Sequence, residues 1–168
     1  MLGYVTTSGR GAADRLLAEA AGRLMAEGVA LAGAVQFNAE RGPGLPCDMD
    51  LHVLADGRTL RISQNLGPLA RGCRLDPAGL EQAVGLVEAA LSAAPGPRLL
   101  VVNKFGQQEV DGRGFRPVIG RALAEGIPVL TAVSQANRAA FESFAEGLGE
   151  PVPAELAAIL DWCRRATA

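Results

Sequence analysis

The chain is poor in the residues that build metal and disulfide scaffolds. Its three cysteines, Cys47, Cys73 and Cys163, form no C-x-x-C pair, and His52 is the one histidine in 168 residues. So few thiols and imidazoles argue against a closed zinc site within one chain. Three cysteines also fit a reducing compartment better than a disulfide framework. Aromatic residues make up only 4%, so the core must come from Leu, Val, Ile and Ala. No aromatics interleave with basic residues to form a stacking platform for single-stranded nucleic acid. Charge of one sign is lacking too: the formal net charge is -2, which removes bulk electrostatic attraction to nucleic acid. No apolar run approaches the roughly 20 residues of a membrane span, and the N-terminus lacks the basic-then-apolar pattern of a signal peptide. The expectation is a cytoplasmic protein with neither a nucleic-acid nor a membrane partner.

What is present describes an ordinary globular protein, 49% hydrophobic and 20% charged, and its length suits one domain over residues 1–168. Short apolar runs at 2–6, 29–37, 97–103 and 127–134 read as buried strands. Between them, apolar stripes of helical period cover 11–27, 76–93, 115–126 and 137–148, and a last one covers 153–166. "CDMDLHVL" (47–54) and "RTLRIS" (58–63) alternate with period two on either side of Asp56-Gly57, a β-hairpin signal. Asp76-Pro77 matches an N-cap followed by proline in a first helical turn. The small residues of 29–37 suggest close packing by a helix. The pattern predicts an α/β fold with a mostly parallel sheet and an inserted antiparallel hairpin.

In such a sheet, ligands bind beyond the carboxyl ends of the strands. Three segments converge there: 6–11, 103–106 and 134–137. In the first, "TTSGRG", the backbone of Thr7, Ser8, Gly9, Arg10 and Gly11 leads into a helix N-terminus, a natural anion site. The alternative is a strand-to-helix turn that uses glycine for geometry alone. A P-loop would continue with Lys and then Ser or Thr, but Ala12 and Ala13 follow Gly11. "LLVVNKFGQQEVDGRGFRPVIGRALAEGIPVL" resembles the Walker B region of small P-loop nucleoside triphosphatases. Aligned that way, Asn103 replaces the magnesium-orienting Asp and Lys104 the catalytic Glu. The phosphate lysine, the metal hydroxyl and both acids are gone, and phosphoryl transfer depends on them. The expectation is therefore a non-enzyme with degenerate Walker motifs. Deleting the acids and gaining Lys104 leaves a more cationic pocket without a metal site, suited to a free oxyanion; the alternative is a solvated lysine at a strand end. "VVNKFG" also resembles the guanine-reading Asn-Lys-x-Asp motif, but Gly106 stands where its Asp would be, which argues against GTP.

A polar cluster surrounds the hairpin: Cys47, Asp48, Ser63, Gln64, Cys73, Arg74 and Asp76. Cys47 and Cys73 are candidates to approach each other near the anion site, or else are small buried hydrophobes. Arg113 and Arg116 are candidate oxyanion forks, or solvated charges where a helix starts.

"CDMDLHVL", "ISQNLGPLARGCRLD" and "LLVVNKFGQQEVDGRGFRPVI" together resemble the bacterial family named domain of unknown function 2478. The resemblance covers most of the chain. It implies a P-loop-NTPase-like three-layer sandwich and a molybdenum-associated role. Molybdate and tungstate are tetrahedral dianions, which serine, threonine and backbone donors bind without metal coordination. The leading expectation is a metal-independent oxyanion-binding protein, molybdate or tungstate its favoured ligand, for storage, sensing or delivery. Two alternatives stay open: a nucleotide-binding protein or weak NTPase with a degenerate loop, and a non-catalytic adaptor of a molybdoenzyme. Expected partners are the small oxyanion itself and either a homo-oligomer or a molybdoenzyme or transport protein. No other cofactor is expected.

Overall fold

Each apolar run becomes the element its period dictates, in a computed structural model that describes residues 1–67, 69 and 74–168. In chain order the elements are β1 (Leu2–Val5), α1 (Ala12–Ala26), β2 (Leu31–Ala39), β3 (Asp48–Val53), β4 (Thr59–Arg61), α2 (Pro77–Leu91), β5 (Leu99–Phe105), α3 (Gln107–Val110), α4 (Arg116–Ala124), β6 (Val129–Val133), α5 (Arg138–Ala145), β7 (Gly149–Pro151) and α6 (Leu156–Ala166), with a short 3-10 turn at Gln135–Asn137. The hairpin forms where Asp56-Gly57 places it: Gly57 has φ 75, and β3 and β4 pair antiparallel with His52 opposite Thr59. Asp76 caps α2 by accepting from the Ala78 N–H at 3.0 Å, with Pro77 next to it in the first turn. Two elements lie outside the sequence expectation, α3 with four residues and β7 with three. Both are too short for a period to repeat and be read from the sequence.

The seven strands form one sheet in the order β4-β3-β2-β5-β6-β1-β7. β2, β5, β6, β1 and β7 run parallel, and the hairpin adds β3 and β4 antiparallel to β2. Side chains alternate between two apolar clusters. Leu100 and Val102 of β5 join α2, α4 and α5 in one, while Leu99 and Val101 join α1 and α6 in the other. The sheet is therefore the middle layer, covered on each face by helices. Close approach at two glycines fixes this packing. A Cβ on Gly3 would sit 2.7 Å from the ring of Trp162, so α6 rests directly on the backbone of β1. Gly33 has φ 116, and a Cβ there would lie 1.8 Å from the carbonyl oxygen of Val101. The small residue in β2 thus admits the backbone of β5, where the sequence suggests a helix.

This order gathers the carboxyl ends of β1, β6, β5 and β2 along one edge. Because β3 is antiparallel, with Asp48 opposite Ala39, the start of the hairpin lies at that same edge.

Candidate functional site

The β1–α1 connection is a glycine turn at the sheet edge. Gly11 caps α1 in the left-handed conformation, φ 70 and ψ 1, with no side-chain cap bond. The Ala12 N–H donates to Gly9 O at 3.2 Å and closes the turn. Ser8, Gly9 and Arg10 are exposed, while Thr7 and Gly11 are half-buried. At the root of the turn the Thr6 Oγ1 is buried and has no hydrogen-bond partner among the described residues. Arg15, one turn into α1, brings its Nη1 to 3.5 Å from where a Cβ on Gly11 would stand. The turn therefore has a free hydroxyl, within the 6–11 segment that the sequence singles out, and a nearby guanidinium to which the sequence pattern does not point.

Beside it lies a closed ring of amides around one carboxylate. Asp14 Oδ1 accepts from Asn103 Nδ2 at 2.8 Å, and Asp14 Oδ2 accepts from Asn38 Nδ2 at 2.8 Å. Asn103 Oδ1 accepts from the Gln36 N–H at 2.9 Å, and Gln36 Nε2 donates to Asn38 Oδ1 at 2.8 Å. Asn103 and Gln36 are 3% and 4% exposed, so the pairing satisfies groups that would be costly to bury alone. An open cleft of about 450 Å³ between α1 and the end of β2 borders this ring, with Arg15 and Phe37 on its walls. The sequence reading names Asn103 and misses Asp14, Gln36 and Asn38. Asp14 was visible only as an acid in a first helical turn, and its partners lie 24 and 89 residues away.

Lys104, the chain's one lysine, is exposed at the end of β5. Its stem runs along Gly106, with Cγ and Cδ at 3.8 and 3.9 Å from a Cβ built there. The next turn is organised by Glu109, which is 4% exposed and accepts from the Gly106 and Phe115 N–H groups at 2.9 Å each. Burial pushes the Glu109 carboxyl above its ordinary value, and the two backbone donors and the Lys104 charge oppose that rise. Arg113 is exposed and lies 3.6 Å from Asp111. Arg116 instead points its Nη1 at the carbonyls of Glu109 and Val110, 3.3 and 3.4 Å away, and stacks on Phe144. Glu109 escaped the sequence reading because one acid inside a glycine-rich stretch carries no periodic signal.

At the hairpin, Ser63 and Gln64 tie the returning chain in place. Ser63 Oγ accepts from the Met49 N–H at 3.0 Å, and Gln64 Nε2 donates to Leu75 O at 2.9 Å. Arg74 Nη1 donates to the carbonyl of the exposed Cys47 at 2.6 Å. Asp48 pairs with Arg61 at 2.9 Å and has Arg41 and Arg74 at 3.8 and 3.7 Å. Cys73 lies outside the described residues, and with it the suggested approach to Cys47. Cys163 is buried on α6, where desolvation pushes its thiol up to about 12. The cluster's bonds run within the hairpin and to Gln64, Arg74 and Leu75, while Asn103 is bonded to α1 and β2. The sequence-singled residues thus fall into three groups along the edge. Among the described residues no group of three or more His, Cys, Asp or Glu could hold a metal ion, and no helix is long and apolar enough to cross a membrane.

A family model described as "Protein of unknown function (DUF2478)" matches residues 2–162. A protein of Bradyrhizobium diazoefficiens named molybdenum import ATP-binding protein ModC 2 is 41% identical over 151 residues. That match covers 90% of this chain and 17% of the relative, so the chain spans only a small part of the length of the protein it resembles. No solved structure matches the chain.

Proposed function

We propose a function from one premise: the chain belongs to the family of proteins of unknown function DUF2478. On our reading it is a P-loop-like module that binds a tetrahedral oxyanion, favouring molybdate, without a metal ion, for storage, sensing or delivery. One observation carries this reading. Thr6 Oγ1 is buried without a partner at the root of the β1–α1 turn, and a buried donor left unmade is costly unless an acceptor completes it. An oxyanion is such an acceptor, and the exposed residues Ser8, Gly9 and Arg10 form the same turn. Arg15 supplies positive charge beside Gly11, in a position to do what a P-loop lysine does. The carboxylate of Asp14, engaged by two amides, replaces the Ser or Thr hydroxyl and the acid that hold magnesium in an NTPase. Strand order supports the P-loop-like reading as well, since only β6 separates the turn-bearing β1 from β5.

The relative's name supplies the favoured ligand. It is called a molybdenum import ATP-binding protein, and its matched part is 17% of its length. Since the present chain has alanines at 12 and 13, we assign it the anion-handling part of such a system and place ATP turnover outside it. That same name is the observation favouring the second reading, a nucleotide-binding module.

Calorimetric titration with molybdate, tungstate, sulfate, ATP and GTP separates the two readings. Saturable binding of the oxyanions alone is expected. Thr6→Val should weaken molybdate binding roughly ten- to a hundred-fold, the value of a hydrogen bond to a charged group. The same change should leave the unliganded fold as stable or slightly more so, since it removes an unpaired hydroxyl. Binding of ATP without any oxyanion would establish the second reading, and silence with all five ligands would remove both.

A further inference from the structure

The hairpin end of the sheet edge holds a second concentration of positive charge, independent of the β1–α1 turn. Arg41, Arg61 and Arg74 converge on Asp48, and Arg61 also grips Asp50. Three guanidinium groups face two carboxylates, and the pairing among them is uneven. Arg61 forms close bonds to both acids. Arg41 Nε and Arg74 Nη2 stop at 3.8 and 3.7 Å from the same Asp48 oxygen, beyond hydrogen-bond distance. Their side chains are 30% and 22% exposed, so they are only partly hydrated. Arg74 Nη2 is buried and without a hydrogen-bond partner among the described residues, while its Nη1 is fixed on Cys47 O. The Ser63 hydroxyl stands 3.4 Å from that Asp48 oxygen.

We propose that Arg41 and Arg74, with the Ser63 hydroxyl beside them, form a binding site for a tetrahedral dianion of the sulfate and molybdate class. A dianion there would displace Asp48 Oδ1, which Arg41, Arg74 and the Ser63 hydroxyl now face. It would complete the unbonded Arg74 Nη2 and give Arg41 the close partner it lacks, while Asp48 keeps its Oδ2 bond to Arg61. The Arg74 guanidinium, fixed on Cys47 O, is pre-organised for such an ion, and arginine forks match its oxygen geometry. Arg74 opens the stretch into α2, and Arg41 lies in the loop that enters β3. An ion bridging them would therefore tie those two segments together.

The test is calorimetric titration of the full chain with sodium sulfate and sodium molybdate at constant ionic strength, repeated on Arg41→Gln, Arg74→Gln and Thr6→Val. Arg41 makes no other ion pair or hydrogen bond among the described residues, so Arg41→Gln leaves the fold intact even if Arg74→Gln disturbs the loop at Cys47. Each arginine variant is expected to weaken one binding step roughly ten-fold or more, and Thr6→Val should leave that step unchanged. If the β1–α1 turn binds nothing, one step remains, and it responds to Arg41→Gln and Arg74→Gln but not to Thr6→Val. Unchanged sulfate and molybdate binding in Arg41→Gln, or no saturable binding of either ion by the unmodified chain, would overturn the proposal.

Discussion

An amide at position 103 does what a carboxylate cannot: it donates to Asp14 and accepts from the Gln36 N–H at the same time. On the proposed P-loop-like reading, the acid expected at the end of β5 is supplied instead from α1 by Asp14. Asn103→Asp would set two carboxylates at the 2.8 Å separation now spanned by a hydrogen bond, and both cannot stay ionised at that distance. We expect a loss of about 1–3 kcal/mol of stability at neutral pH, read by urea denaturation. A variant as stable as the parent at pH 7 would show that Asp14 and residue 103 do not meet. The same logic separates the two candidate cations. Arg15 stands at Gly11, whereas the Lys104 stem lies along Gly106, and only the first was hidden from sequence, because its place depends on the curl of the turn.

At the level of elements, the periodic features were legible and the aperiodic ones were not. Apolar runs announced β1, β2, β5 and β6, Asp56-Gly57 announced the hairpin, and Asp76-Pro77 announced α2, because each follows from local sterics or burial. α3 and β7 are set by neighbours: β7 exists because β1 offers it an edge, and α3 because Glu109 closes the turn after β5. Glu109 offers a check on that account. Its two oxygens hold Gly106 N–H and Phe115 N–H, and a Cβ on Gly114 would come within 2.2 Å of Oε1. Glu109→Gln keeps one acceptor and turns an NH2 group toward the other donor, which should cost about 1–3 kcal/mol. Burial raises the Glu109 pKa from 4.5 in the folded state, so the folded protein holds this proton more tightly than the unfolded chain does. The contribution of Glu109 is therefore fully present below 4.5 and diminishes as pH rises through the folded value. Subtracting stability curves of parent and variant over that window should expose this slope. Parallel curves would mean that Glu109 does not titrate with folding. The candidate site was less legible than the fold, since the Asp14 ring joins four residues from three elements and only the sheet order brings them together.

For the molecule as a whole, the arrangement bears on whether this fold can turn over a nucleotide. Hydrolysis of a nucleoside triphosphate requires charge at the transferred phosphoryl group, a held magnesium ion and a positioned water. On the proposed P-loop-like alignment, Ala12 and Ala13 stand in place of the lysine and hydroxyl, Asn103 is committed to Asp14 and Gln36, and Lys104 stands where a general base would be. On that reading the changes act together, so restoring one of them should not restore turnover. We expect no magnesium-stimulated hydrolysis of ATP or GTP by the chain, and none by Asn103→Asp or by Ala12→Lys with Ala13→Thr. Molybdate should instead raise the thermal midpoint by mass action, growing with the logarithm of its concentration above the dissociation constant, and magnesium should add nothing to that rise. The two measurements check each other. Phosphate release clearly above background and abolished by Thr6→Val would show that the degenerate turn still supports catalysis. A midpoint that rises with magnesium-ATP and ignores molybdate would make nucleotide the ligand of the β1–α1 turn.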